Sequence, residues 1–170
     1  MKKIAVSLIA IVLTLYATLM VWYLETSNIE YVSLCVTHPE GDYVPQPVCE
    51  YYLFNFRGTE EDIEFLEQGN GLSFFFGVED RQMRRRLMRF FLEQGISIHQ
   101  PSEVHGLPPL HTAVLMNEPR IVEFLLENGA DPDQRDLKHE LTVPEYVDLL
   151  RGKNPQEDRS KIEQILKNQA

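Results

Sequence analysis

Apolar and polar positions follow two different rules along this chain. From Ile4 to Leu24 there is no charge at all, and the run is flanked by Lys2-Lys3 on one side and contains Trp22-Tyr23 near the other. As a helix its 21 residues would extend roughly 31 Å at about 1.5 Å per residue, which matches a hydrocarbon core of about 30 Å. Aromatic residues at the far end suit an interfacial belt, and the basic pair favours the cytoplasmic side. The pattern predicts a membrane helix through residues 4–24. A cleaved signal peptide is the alternative, but its apolar run is usually about 7–15 residues and ends at a small-x-small site. Around Ala17-Thr18-Leu19 no such site is evident, so an uncleaved anchor is preferred.

Beyond residue 25 the apolar spacing becomes three to four. Pro109 is placed to open a helix, since its fixed φ and missing N–H suit the first turn. Leu110, Ala113 and Val114 then form one apolar face. Asn117-Glu118-Pro119 ends that helix and opens another, whose buried face is Ile121, Val122, Leu125 and Leu126. Gly129 is a left-handed stop, and Asp131-Pro132 keeps the chain extended. Further on, a helix from Pro144 to Leu150 points Val147 and Leu150 inward. Lys153-Asn154-Pro155 breaks it, and Ser160 to Asn168 carries Ile162, Ile165 and Leu166 on one face.

The pattern repeats. Phe90-Phe91-Leu92-Glu93-Gln94-Gly95 recurs 34 positions later as Phe124-Leu125-Leu126-Glu127-Asn128-Gly129, with an earlier copy at Glu64-Phe65-Leu66-Glu67-Gln68-Gly69. Gly71 to Val78 aligns with Gly106 to Ala113, and Glu140 to Val147 follows 34 later. A period near 33 is the mark of a solenoid of helix pairs, none of which buries its apolar face alone. On Pro109-Leu110-His111-Thr112-Ala113 and Gly129-Ala130-Asp131-Pro132, the chain resembles the ankyrin repeat family. Pro108 replaces the usual Thr, and Phe74-Phe75-Phe76 and Val143-Pro144-Glu145 stand where Pro-Leu-His is expected in the other copies. The resemblance covers roughly residues 49–170 and implies an all-α, ankyrin-like solenoid of three to four repeats, with His111 as the structural histidine. The aromatic block Tyr51 to Phe56 is read as the first helix of a weak opening repeat, with a strand as the alternative. The expected domains are residues 1–25 (anchor), 26–49 (juxtamembrane loop) and 50–170 (repeats).

Charge and cysteines sharpen the setting. Net charge is −10. Without Lys2 and Lys3 the remainder has 14 basic against 26 acidic residues, or −12. Such a surface repels phosphate backbones, so nucleic acid is excluded as a partner. Cys35 and Cys49 flank the turn formers Pro39, Gly41, Pro45 and Pro47. In an oxidising compartment they could pair, closing a loop worth roughly 3 kcal/mol; two unrelated buried thiols are the alternative. With a bacterial-style Met1-Lys2-Lys3 opening, the localisation expected is a single pass through the inner membrane with a periplasmic repeat domain.

Candidate chemistry is thin. His38, His99, His105, His111 and His139 show no metal-ligand spacing, and no nucleophile elbow, phosphate loop or dinucleotide fingerprint is present. Glu60-Glu61-Asp62 reads as an acidic first helical turn. No enzyme activity, cofactor, metal or small-molecule substrate is expected. The resemblance instead implies a protein partner, met by first helices and loop tips. The candidate contacts are His99, Glu103, Arg135, Asp136, Lys138 and His139 at the tips, with Thr112 and Met116 on a first helix. Arg81, Arg85 and Arg89 form an i, i+4 row, read as a solvated face or a secondary basic patch. Small, acidic, single-anchor bacterial ankyrin proteins look like immunity or inhibitor proteins that neutralise a secreted toxic effector. A general envelope scaffold is the alternative, and a hydrolytic enzyme a remote third.

Overall fold

The computed structural model describes residues 2–38 and 43–168. Pro39 and Gly41, two of the turn formers between the cysteines, lie outside the described residues. Every regular element described is a helix, and the chain divides into two compact units, 1–62 and 63–170.

In the first unit, α1 (Lys2–Thr26) contains neither Gly nor Pro. It is long and apolar enough to cross a membrane over Ala5–Thr26, and none of the apolar window is buried. Its threonines turn back on the helix. Thr14, Thr18 and Thr26 Oγ1 donate to the carbonyls of Ala10, Thr14 and Trp22 at 2.8–2.9 Å. That satisfies each hydroxyl within the helix, as an apolar solvent requires. Asn28 caps α2 (Ile29–Thr37) by accepting the Tyr31 N–H at 2.8 Å. α2 packs on α3 (Gln46–Phe56), burying Val32 and Val36 together with Leu53. Cys35 and Cys49 are bonded across this pair, with Cα atoms 6.0 Å apart. The aromatic block Tyr51 to Phe56 lies on α3.

A single guanidinium closes the unit. Arg57 Nη1 donates to Leu24 O (3.2 Å) and Ser27 O (2.9 Å) at the end of α1. Its other nitrogens hold the carboxylate of Asp62, which also accepts from the Gly58 and Thr59 N–H groups. Burial would raise the Asp62 carboxyl pKa, but Arg57 and these two amides outweigh it and hold the group below its usual range. Asp62 is therefore a buried hub, as well as a first-turn acid in α4 (Glu60–Glu67).

The second unit, which takes up the chain inside α4, is a two-layer stack of helix pairs. The 3-10 segment Gly71–Gly77 pairs with α5 (Arg81–Gln94), α6 (Pro109–Leu115) with α7 (Pro119–Glu127), and α8 (Val143–Lys153) with α9 (Ser160–Lys167). The first members pack in the order 3-10 segment, α6, α8, and α7 packs on α9. Local chemistry sets the boundaries. Asp80 caps α5 through the Met83 N–H at 2.7 Å, prolines stand in the first turns of α6, α7 and α8, and Gly95 and Gly129 follow α5 and α7 with positive φ. The Phe74-Phe75-Phe76 copy folds as a 3-10 turn, which points Phe75 and Phe76 into the core and stacks Phe75 on Phe91 with centroids 4.7 Å apart. The interior continues through Leu110, Ala113, Val114, Val122 and Leu125 to Val147 and Ile162, all buried.

Removing the guanidinium would strand the Asp62 carboxylate and two carbonyls. Arg57→Ala is expected to destabilise the chain by about 3–5 kcal/mol, read as a loss of the unfolding midpoint of the full chain in detergent. A change below about 1 kcal/mol would contradict the hub role.

Candidate recognition surface

The loops before α6 and before α8 have the same construction one period apart. In the first, the Ser102 N–H donates to Leu107 O (3.0 Å), and the Gly106 N–H returns to Ser102 O (2.7 Å). Ser102 Oγ accepts from the Val104 and His105 N–H groups at 3.2 Å. In the second, Asp136 takes that place. Its N–H donates to Leu141 O (3.0 Å), and its O accepts from the Glu140 N–H (3.2 Å). Asp136 Oδ1 accepts from Lys138 (2.8 Å) and His139 (2.7 Å), and Oδ2 from Leu141 (3.1 Å). Short oxygen-bearing side chains make such turns by copying a backbone acceptor. Each turn closes on a left-handed residue, Gly106 at φ +67° and Glu140 at φ +55°. At position 106 glycine takes that conformation without strain.

Neighbouring loops are stapled to one another. The Glu103 N–H donates to Gly69 O and the Leu137 N–H to Gly106 O, both at 3.0 Å. Ser102 Oγ reaches Asn70 Oδ1 (3.1 Å), and Gln134 Nε2 donates to His99 O (2.8 Å). Beneath them, the buried His111 on α6 reaches Leu141 O through Nε2 at 2.9 Å. Because Leu141 O is an acceptor, Nε2 carries the proton. Burial pushes the His111 pKa down, with the Leu141 carbonyl and Asp136 opposing it, so the ring is neutral near pH 7.

This scaffold sorts the anticipated contact residues. His99, Glu103, Arg135 and Lys138 are exposed, while His139 is half-buried against the Tyr146 ring. His99 Nδ1 lies 3.3 Å from Gln134 Oε1. Arg135 is drawn to Glu140 O (2.5 Å) and Glu145 (3.3 Å). Asp136 is only 2% exposed and its carboxylate is occupied by loop amides, so it builds the loop and does not face a partner. Burial would raise its pKa, but those amides hold it low. Thr112 is half-buried within α6, and Met116 is exposed at the opposite end of that helix from the tips. Arg81, Arg85 and Arg89 are exposed on α5, away from these loops in the chain; Arg85 pairs with Glu127 at 3.2 Å and covers the Phe124 ring at 5.6 Å.

Sequence reasoning missed the most exposed apolar residues of the two loops, Val104 (63%) and Leu137 (73%). The usable signal was an aliphatic residue inside an otherwise polar turn, repeated about one period later. Leu115 (42%) and Met116 (46%) form a second small apolar exposure at the far end of α6.

Residues 105–137 match the family model described as ankyrin repeat. The chain thus carries an ankyrin repeat, which spans the α6/α7 pair and the adjoining parts of the two flanking loops, and that pair stands within an all-helical stack. No curated protein and no solved structure matches the chain.

The neutral imidazole gives a pH signature. With a folded pKa below the usual 6.5, the unfolded chain binds the proton first, so stability is complete above about pH 6.5 and falls as pH drops. Over pH 7.5 to 5.5 the midpoint should fall, with a slope no steeper than about 1.4 kcal/mol per pH unit. His111→Gln, which keeps a donor for Leu141 O, should flatten that slope. A slope unchanged in the variant would contradict the assignment.

Proposed function

We propose that this chain is a membrane-tethered module that binds a protein partner through the stapled loop tips of its repeat unit. The observation that carries this reading is the pair of loops, fixed to each other by the Leu137 N–H to Gly106 O bond and by the Gln134 side chain on His99 O, that hold Val104 and Leu137 out in solvent. Exposed aliphatic side chains on a pre-ordered frame lower the entropic cost of association. An ankyrin repeat at 105–137 supports a protein as the ligand. The apolar α1 supports tethering.

Within that reading the repeat unit faces the periplasm and the partner is a secreted toxic effector that the module neutralises. The Lys2-Lys3 pair beside the apolar helix supports that orientation, and the bonded Cys35–Cys49 pair suits an oxidising space. A net charge of −10 favours encounter with a basic protein surface. The role of general envelope scaffold differs in its genetics. A neutralising protein becomes essential only when the effector is present, whereas loss of a scaffold disturbs the envelope without it.

The test uses the full chain in detergent as bait for membrane and periplasmic extracts, alongside a Val104→Asp/Leu137→Asp variant. Both sites are exposed, so the fold should be unchanged within about 0.5 kcal/mol. Capture of the principal partner should fall by about tenfold or more. Equal capture by both proteins would reject the tips as the contact surface.

A further inference from the structure

The second helices of the stack carry a feature that the loop tips do not explain. α7 packs on α9, but between α5 and α7 a groove of about 240 Å³ stays open. Its floor is apolar: Met88, Ile121 and Phe124 line it, each at most 4% exposed. Its walls are cationic, with Arg81, Arg84 and Arg85 from α5 and Arg120 from the first turn of α7.

Two of these arginines are held in place by the fold. Arg84 Nη1 donates to Phe76 O (3.0 Å), and its side chain is largely buried 3.8 Å from Glu118. Arg85 is fixed by Glu127 and the Phe124 ring. The other two, Arg81 and Arg120, are exposed and have no ion-pair partner among the described residues. No carboxylate lines the groove. In a chain of net charge −10, an open slot with two uncompensated guanidinium groups over a greasy floor is a local reversal of sign.

We infer that this groove is a second docking site, for an acidic segment of a protein partner in which a carboxylate side chain adjoins an apolar one. The apolar side chain fills the floor and removes it from water. The carboxylates meet Arg81 and Arg120, whose planar forks suit bidentate pairing. Shape favours a protein segment over a bilayer of anionic lipid. The apolar surface lies at the bottom of a concavity, which a protruding side chain enters and a flat headgroup plane does not. The repeat unit from residue 63 onward also carries 13 basic and 18 acidic residues, so an anionic membrane repels it as a whole. The site lies on the opposite layer from the first helices and rests on the reading that the repeat unit binds protein.

The test pans a displayed library of random peptides against the full chain in neutral detergent. Peptides with Asp or Glu beside Leu, Ile or Phe should be enriched. They should bind Arg81→Gln/Arg120→Gln about tenfold more weakly, with affinity falling as salt rises. They should bind Val104→Asp/Leu137→Asp as well as the unaltered chain, which separates failure of this site from failure of the loop tips. Far-ultraviolet circular dichroism checks that the arginine variant is folded; if it is not, Arg81→Lys/Arg120→Lys replaces it, with a smaller but measurable loss expected because the charge stays while bidentate pairing is gone. The inference is overturned if no acidic-apolar motif is enriched, if enriched peptides bind the arginine variant equally, or if phosphatidylglycerol added as mixed micelles in the same detergent binds through Arg81 and Arg120 while the peptides do not.

Discussion

The repeat unit depends on a shortage of apolar cover. Each helix pair presents more aliphatic and aromatic surface than it can hide by itself. That surface leaves water only when the next pair is laid against it in register. Hydrophobic burial supplies the drive but no register, because it has no direction. The direction comes from polar links between successive pairs. The His111 imidazole is the clearest, passing from α6 to the carbonyl of Leu141 just before α8. The backbone bonds from Glu103 to Gly69 and from Leu137 to Gly106 do the same work at the loop level. A slip between pairs would leave the buried His111 imidazole unpaired, at a cost of about 1–3 kcal/mol, and would break the loop-level bonds with it.

The same links define what the surface offers. Atoms that hold the loops cannot also face a partner, so the frame and the contact residues divide by burial. Ser102 and Asp136 sit at equivalent places and accept equivalent amides, one through a hydroxyl and one through a carboxylate. What remains outward is a mixed set of aliphatic (Val104, Leu137), cationic (Arg135, Lys138) and acidic (Glu103, Glu140) side chains on this frame. The second layer uses the remaining surface differently: long arginines on α5 brace against Phe76, Glu118 and Glu127 and leave a slot beside α7.

Much of the architecture was legible before any coordinates. The α6/α7 pair could be read from Pro109, Pro119 and Gly129, because proline fixes φ and glycine admits the left-handed region, and both meanings survive without context. The 34-residue spacing carried that reading to α8 and α9, and the uncharged run gave α1. Three things were not legible. Asp136 looks like a solvated loop acid in sequence, and only the turn geometry shows its carboxylate turned inward on three amides. Asp62 looks like one of three first-turn acids, yet its main partner is Arg57, which also reaches carbonyls 30 and 33 residues away. Val104 and Leu137 lie outside any helical period, so their exposure left no periodic trace.

The register of the stack is tested most directly by residue-resolved amide exchange on the full chain in detergent. If the loops are stapled as described, the Glu103 and Leu137 amides exchange as slowly as that of Leu125 in α7, because opening them requires the pairs to part. Exchange of Glu103 and Leu137 at the rate of free loop amides, with Leu125 still protected, would mean that helix pairs form without the links that fix their order.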